Sequence, residues 1–150
     1  MNELVYRNLS EDAKRQICAW KYGGEYDLYN LPSYEEMQVR QIGFMNPQRE
    51  KNYYGFWYES ILVGFVNILE EKEEVFIGIG VNPDLCNKHY GQRMLLITYE
   101  ISKKLYPNKP LYLEVRTWNI RAVKCYQKAG FRIDGQAYEL TTGIGTGTFY

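Results

Sequence analysis

The sequence is poor in cysteine and histidine, which argues against two kinds of site. Its 150 residues include three cysteines, Cys18, Cys86 and Cys125, and one histidine, His89. No two of these residues have the spacing of a zinc site or of a redox pair. The odd number of cysteines favours reduced thiols and a cytoplasmic protein. We therefore expect no metal.

The sequence also lacks an excess of charge and a long apolar run. Lys and Arg together number 18, as do Asp and Glu, so the formal net charge is zero. A neutral chain gives no support for broad binding to nucleic acid or to an anionic membrane. No run approaches the roughly 18 apolar residues that cross a bilayer. Residues 1–9 are polar, unlike a signal peptide. We expect neither nucleic acid nor a membrane as partner.

Aromatic side chains are plentiful, because 16% of the residues are aromatic and 15 are tyrosines. Such a chain can bury a core and still present hydroxyl groups in clefts. Its length suits one domain with one sizeable core. We expect residues 1–150 to form a single domain.

The order of hydrophobic patterns predicts a strand, two helices, three strands, a helix, a strand, a helix and one or more final strands. Antiparallel hairpins come first and βαβ units follow, so we expect an α/β sandwich with a mixed sheet. Ser10 and Ser33 are expected to cap the first two helices. The predicted segments are helices over 11–20, 34–46, 91–105 and 120–129, and extended segments over 4–7, 53–57, 62–69, 75–81, 111–115, 131–140 and 148–150.

The loop from Cys86 to Gly91 lies between a predicted strand and a predicted helix. The first N–H groups of a helix have no partner within it, and the helix dipole favours negative charge there. Gly91 allows a phosphate to approach the backbone closely, and Lys88 adds a positive charge. The loop is a candidate anion site, although an ordinary connection has the same pattern.

A more specific pattern follows. The strand Leu-Glu-Val-Arg at 113–116 leads to Asn119-x-x-Ala122, then to Tyr126 and to Gly130-Phe131. This pattern resembles the GNAT superfamily of N-acetyltransferases, and the strand is similar to that of ribosomal-protein N-terminal acetyltransferases. The resemblance implies a mixed, mostly antiparallel sheet with splayed central parallel strands and helices on both faces. It also implies transfer of an acetyl group from acetyl-CoA to a primary amine of a small molecule or peptide N-terminus, by direct attack in a ternary complex.

The resemblance also implies where acetyl-CoA binds. The pantetheine arm would pair with the backbone of one splayed strand and would bond Asn119. The pyrophosphate would lie on the loop before the next helix. The implied backbone positions are Ile79, Gly80 and Val81, and the implied pyrophosphate site comprises Asn87, Lys88, His89, Gly91 and Gln92. Asn119 has the alternative role of a plain helix N-cap.

Two side chains are implied to take part in the chemistry. Tyr126 would protonate the departing thiolate, and Glu114 would act as the base for the amine. From the residues alone, Tyr126 is equally a packed helix residue. Glu114 is equally a solvent-facing or salt-bridged strand residue.

The phosphate loop departs from the pattern Gln/Arg-x-x-Gly-x-Gly/Ala that is usual in the superfamily. Aligned without gaps from Val81-x-Pro83, these positions are Cys86, His89 and Gly91, of which only Gly91 fits. A shifted alignment places Lys88, Gly91 and Arg93 there, and we prefer the gapless one. This departure motivates an alternative function, a non-catalytic acyl-CoA-binding or interaction module on the same fold.

Residues 22–34 are rich in tyrosine. Tyr22, Tyr26 and Tyr29 occur beside Glu25 and Asp27 and are candidates for the acceptor pocket. Rings and carboxylates together favour a cationic amine as acceptor. The alternatives are a packed core and the interface of a homodimer, where tyrosine is also enriched.

Overall fold

The computed structural model describes residues 3–142 and 145–150. The helices are α1 (Glu11–Ala19), α2 (Tyr34–Arg40), α3 (Tyr90–Leu105) and α4 (Ile120–Lys128). The strands are β1 (Leu4–Asn8), β2 (Tyr53–Tyr58), β3 (Ile61–Glu70), β4 (Val75–Val81), β5 (Leu111–Tyr112), β6 (Tyr138–Thr142) and β7 (Gly145–Phe149). Short 3-10 segments occur at Gly24–Tyr29, Gly43–Met45, Glu50–Asn52 and Pro83–Leu85.

The first five strands form one sheet in the order β1-β2-β3-β4-β5. All neighbours are antiparallel except β4 and β5, which are parallel. The hairpin β6–β7 continues beyond β5, because Val115 and Tyr150 exchange backbone hydrogen bonds of 3.3 and 2.8 Å. The parallel pair lies at one edge of this mostly antiparallel sheet, next to the separate β6–β7 hairpin, and the predicted fold class is confirmed.

The two parallel strands separate soon after they meet. β4 pairs with β3 over its whole length, from Val75 to Val81, but with β5 only at Val75 and Phe76. The strand predicted over 111–115 is thus paired with β4 only over Leu111–Tyr112. Beyond that point its chain pairs with the β7 side instead, which opens a gap beside β4.

Helices cover both faces of the sheet. On one face, Met94 and Leu95 of α3 pack against sheet residues such as Val63 and Ile77. On the other face, α1 and α2 form a second core, whose members include Ile17, Met37, Phe44, Trp57 and Leu62. The alternation of side chains along the strands supplies both cores. The gap beside β4 is consequently flanked by helices from above and below.

The predicted helix starts are confirmed by their capping bonds. The Ser10 side chain accepts a hydrogen bond from the Ala13 N–H, and that of Ser33 accepts one from the Glu36 N–H, each at 3.1 Å. The predicted end of the second helix near Asn46 is wrong. α2 ends at Arg40, because Gln41 takes a left-handed conformation with φ of 52°. This left-handed turn redirects the chain before the next 3-10 segment.

Two other segments differ from the prediction. The tyrosine-rich loop contains a 3-10 helix over Gly24–Tyr29, which fixes the positions of its rings. The segment predicted to be extended over 131–140 forms a strand only from Tyr138.

No helix in the described part of the chain is long and apolar enough to cross a membrane.

Candidate active site

A cleft of about 740 Å³ opens where β4 and β5 separate. Its lining combines side chains from both faces of the sheet: Trp20 and Leu31 come from the α1–α2 layer, whereas Tyr90 and Tyr126 come from α3 and α4. The cleft therefore passes through the sheet. Two molecules that enter from opposite faces can meet at its centre.

The edge of β4 that faces the gap carries backbone groups without a ladder partner. The Val75 N–H donates to the Pro110 carbonyl at 2.9 Å, so odd-numbered residues of β4 point towards this edge. The parallel pairing stops at Phe76, and therefore the N–H groups of Ile79 and Val81 face the cleft beyond the described pairing. These groups can bond an extended ligand as an added strand does. Gly80, which lies between them, also lines the cleft. Its backbone N–H and carbonyl groups point the opposite way, towards β3, and so do not face the gap.

Tyr22 bonds a backbone carbonyl at this edge of β4. Its hydroxyl donates a hydrogen bond of 2.6 Å to the carbonyl of Val81. Burial raises the pKa of Tyr22, and the nearby Cys86 adds to the shift. The hydroxyl therefore remains protonated and remains a donor near neutral pH.

The loop before α3 forms one end of the cleft. Asn87 and His89 both have a φ of 66°, in the left-handed region that favours glycine. His89 is the N-cap of α3 and its side chain makes no capping bond. The gapless alignment places the glycine of the usual pattern at His89, and the observed conformation agrees with it. Asn87 and His89 line the cleft, whereas Lys88 is not part of the lining.

The first turn of α3 presents N–H groups to the cleft. The Arg93 N–H is bonded to the His89 carbonyl at 3.2 Å, so those of Gly91 and Gln92 precede the first bond within the helix. Gly91 has a further role, because a Cβ atom there would lie 3.0 Å from the Cys125 Sγ of α4. The Gln92 amide donates to the Lys128 carbonyl at 3.4 Å, which links the two helices.

Asn119 is the N-cap of α4, as predicted. Its Oδ1 accepts a hydrogen bond from the Ala122 N–H at 3.2 Å. Its Nδ2 donates to the hydroxyl of Tyr29 at 3.1 Å. The side chain is buried, with 7% of its surface exposed. Asn119 therefore connects the start of α4 to the tyrosine-rich segment on the other face.

Tyr126 and Glu114 both line the cleft. Burial raises the pKa of Tyr126, and the neighbouring Cys125 and Tyr29 add smaller contributions. Tyr126 thus keeps its proton near neutral pH and is able to donate it. The carboxylate of Glu114 accepts a hydrogen bond from Tyr138, and burial together with that bond raises the pKa of Tyr138 to about 12.

The three predicted acceptor-side tyrosines divide into two groups. Tyr22 and Tyr29 line the cleft, and Tyr26 does not. The ring of Tyr26 packs against Trp118 and carries the guanidinium of Arg121 over its face, 4.0 Å from the centroid. Glu25 and Asp27 are exposed and are not part of the lining.

Four cations around the cleft were missed by sequence reasoning. Among the described residues of the lining, Glu114 is the only carboxylate, whereas the cationic members are Arg116, Arg121, Lys124 and Lys128. The last three recur at steps of three and four, so they share one face of α4. That spacing is visible in the sequence and is the signal that could have revealed them. In the part of the chain that the structure describes, no group of three or more His, Cys, Asp or Glu residues is placed to hold a metal ion.

A family model described as "Acetyltransferase (GNAT) family" matches residues 10–131 of this chain. The chain belongs to the GNAT acetyltransferase family. The predicted resemblance and the prediction of an acyltransferase are thereby confirmed.

Relatives of this GNAT chain include a protein of Bacillus subtilis subsp. natto (strain BEST195) named "Probable spermine N(1)-acetyltransferase". It is 31% identical over 100 residues, which cover 59% of this chain and 66% of that relative. The match thus spans just under two thirds of the relative.

Solved structures share the GNAT fold. An acetyltransferase of the GNAT family from Bacillus anthracis has a TM-score of 0.76 and 18% identity, with 100% of this chain and 95% of that chain covered. The aminoglycoside acetyltransferase AAC(6')-Ib, solved with coenzyme A, has a TM-score of 0.73 and 17% identity over 98% of this chain and 92% of that chain.

Proposed function

We propose that this GNAT chain transfers the acetyl group of acetyl-CoA to a primary amine. The observation that carries the proposal is the continuous series of backbone N–H groups along the cleft. It begins at Ile79 and Val81 on the open edge of β4 and continues at Gly91 and Gln92 in the first turn of α3. An amide-containing arm that ends in phosphates matches this order of strand edge and helix start.

The charges of the cleft suit the same donor. Arg121, Lys124 and Lys128 follow one face of α4 beside the start of α3, and the phosphates of acetyl-CoA are anionic. The unpaired N–H groups and the helix dipole add to this attraction. The relative named for spermine acetylation and the aminoglycoside enzyme solved with coenzyme A support an amine as acceptor.

The side chains at the centre of the cleft can supply the required proton transfers. Glu114 takes a proton from the ammonium group of the acceptor, directly or through water, and the free amine attacks the carbonyl carbon of the thioester. The N–H of Val81 stabilises the charge that develops on the carbonyl oxygen. The C–S bond then breaks, and Tyr126 protonates the departing sulfur. The attacking nitrogen loses its second proton, which returns to Tyr126 through water. The net products are the acetylated amine, CoA and one proton.

A binding module without catalysis is the second candidate, and His89 favours it. Its side chain stands where the family has glycine, at the start of α3 next to the phosphate site. A module of this kind would bind acyl-CoA through the open edge of β4 and would release no thiol. Thiol release therefore separates the two functions.

The test combines binding and turnover. Saturating acetyl-CoA should raise the melting temperature, because a ligand at about 100 times its Kd stabilises the native state by about 2.7 kcal/mol. A mixture of primary amines should then release CoA, which a thiol reagent detects. No thermal shift at millimolar acetyl-CoA would exclude both candidates, and a shift without amine-dependent thiol release would favour the binding module.

A further inference from the structure

The acceptor side of the cleft is aromatic and nearly free of negative charge. Its lining from the α1–α2 layer and from β3 is entirely apolar or aromatic: Ile17, Trp20, Tyr22, Tyr29, Leu31 and Phe65. The acidic residues of this segment, Glu25 and Asp27, are exposed and lie outside the lining. We name these six lining residues the aromatic wall.

We infer that the acceptor is a primary amine carried on an aromatic or other apolar group, with no further cationic group, and not a polyamine. This inference rests on the proposed function and specifies its acceptor. It concerns this chain and differs from the substrate for which the Bacillus subtilis relative is named.

The number of carboxylates in the lining supports one ammonium group. Glu114 is the only carboxylate among the described residues that line the cleft. One carboxylate can pair with one ammonium group, which is also the group that reacts. Each further ammonium of a polyamine would be desolvated against the aromatic wall without a partner, and an unpaired buried charge strongly disfavours binding.

The rings of the aromatic wall are arranged for apolar contact. Aromatic faces can attract a cation, but Trp20 is already packed against the ring of Phe65, with centroids 6.2 Å apart and planes inclined by 36°. Tyr29 similarly lies towards Trp118, at 6.1 Å. In the nearby 3-10 helix, Tyr26 holds the protein's own Arg121 over its face. Rings that pack against one another in this way can still offer their edges and other apolar surface for contact with the acceptor.

The positive charge next to Glu114 argues in the same direction. Arg116 is two residues further along the same extended segment, lines the cleft and is buried. Its guanidinium lies 4.8 Å from the centroid of Phe149. An acceptor that binds near Glu114 therefore meets a cationic side chain and no second carboxylate among the described residues of the lining, which favours an acceptor without further ammonium groups.

The experiment compares two probe amines with the full chain and acetyl-CoA. We expect kcat/KM for 2-phenylethylamine to exceed that for spermine by at least about tenfold, as thiol release at equal ionic strength measures it. A higher kcat/KM for spermine would overturn the inference. The melting-temperature shift with acetyl-CoA is recorded in parallel. If the shift persists and 2-phenylethylamine is not acetylated, the acceptor inference fails while donor binding stands; loss of both removes the proposed function itself.

A variant that adds a carboxylate to the aromatic wall sharpens the test. Leu31→Glu should change the ratio of kcat/KM for the two probes by about tenfold or more in favour of spermine. Leu28→Glu is the matched control, because Leu28 lies in the same segment but outside the lining. It should leave the ratio unchanged. An unchanged ratio in folded Leu31→Glu would contradict the inference.

If Leu31→Glu does not fold, Trp20→Leu replaces it. Removal of the Trp20 ring should lower kcat/KM for 2-phenylethylamine by several-fold more than it lowers the value for spermine. An equal loss for both amines would contradict the aromatic wall as a determinant of specificity.

Discussion

The two sides of the cleft differ in whether backbone or side-chain groups form them. The donor side consists of backbone N–H groups on β4 and α3, with cations along α4. The acceptor side consists of the aromatic wall, which has four aromatic rings and two aliphatic side chains. The backbone side depends on where strands and helices start and end, and the other depends on which side chains pack together. The first therefore requires only that these elements start and end at these places, whereas the second requires these particular side chains.

The largest effect on turnover is expected from a substitution of Tyr126, where the two sides of the cleft meet. Tyr126→Phe should lower kcat by about 10²-fold or more, because the proposed general acid for the thiolate is lost. KM for acetyl-CoA should change little, since the phenyl ring still fills its place in the cleft. Steady-state kinetics measure both constants. Tyr26→Phe is the control, because Tyr26 lies outside the lining, and it should retain full turnover.

The pH profile gives a second measure of Tyr126. Burial raises its pKa above the ordinary value for tyrosine, about 10, so it keeps its proton to higher pH than a free phenol. Wild-type turnover should consequently show no loss due to Tyr126 below about pH 10. Unchanged turnover in Tyr126→Phe would assign this residue to packing alone.

The bond between Tyr22 and Val81 tests how firmly the two sides are joined. Tyr22→Phe leaves the Val81 carbonyl without its donor, and a lost hydrogen bond of this kind costs about 1 kcal/mol when water reaches the acceptor. Urea unfolding should show a decrease of that size. Tyr99→Phe, at a tyrosine that is 47% exposed, is the control and should have no effect. Equal stability of the two variants would mean that the bond adds nothing to the fold.

The smallest effect is expected on KM for acetyl-CoA, from a substitution in the loop before α3. His89→Gly removes both an unfavourable left-handed residue and an imidazole from the start of α3. We expect KM for acetyl-CoA to fall by roughly threefold to tenfold, the equivalent of about 1 kcal/mol.

Asn87→Gly is the matched control for this loop. Asn87 has the same φ of 66°, but asparagine tolerates that conformation better than histidine does. Its KM should therefore change less than that of His89→Gly. A rise of KM in His89→Gly would instead indicate that the imidazole binds acetyl-CoA. Donor binding would then depend on the His89 side chain as well as on backbone N–H groups.

Local signals predicted most of the fold. The boundaries of β4 and the cap of α4 at Asn119 agree with the sequence, since a change of period and a capping side chain act over a few residues. The end of α2 was not predictable, because it depends on a left-handed glutamine that no propensity favours. The early end of β5 likewise depends on pairing with β7, more than thirty residues further along.

The site could be predicted only in part. The motif placed Asn119, Tyr126 and Glu114 together, and all three line the cleft. Spacing along the chain could not show that the Tyr22 hydroxyl reaches Val81, 59 residues away. For the same reason, the sequence did not separate Tyr29, which lines the cleft, from Tyr26, which lies outside the lining. Such contacts follow from tertiary packing.

Two hydrogen bonds cross the cleft between its sides, one from Tyr22 to Val81 and one from Asn119 to Tyr29. Each joins a group of the donor side to a ring of the acceptor side. Binding free energies are state functions, so any factor by which acetyl-CoA changes acceptor affinity equals the factor by which the acceptor changes acetyl-CoA affinity. Any coupling that these two tyrosine hydroxyls transmit would therefore act equally on the affinities of both substrates.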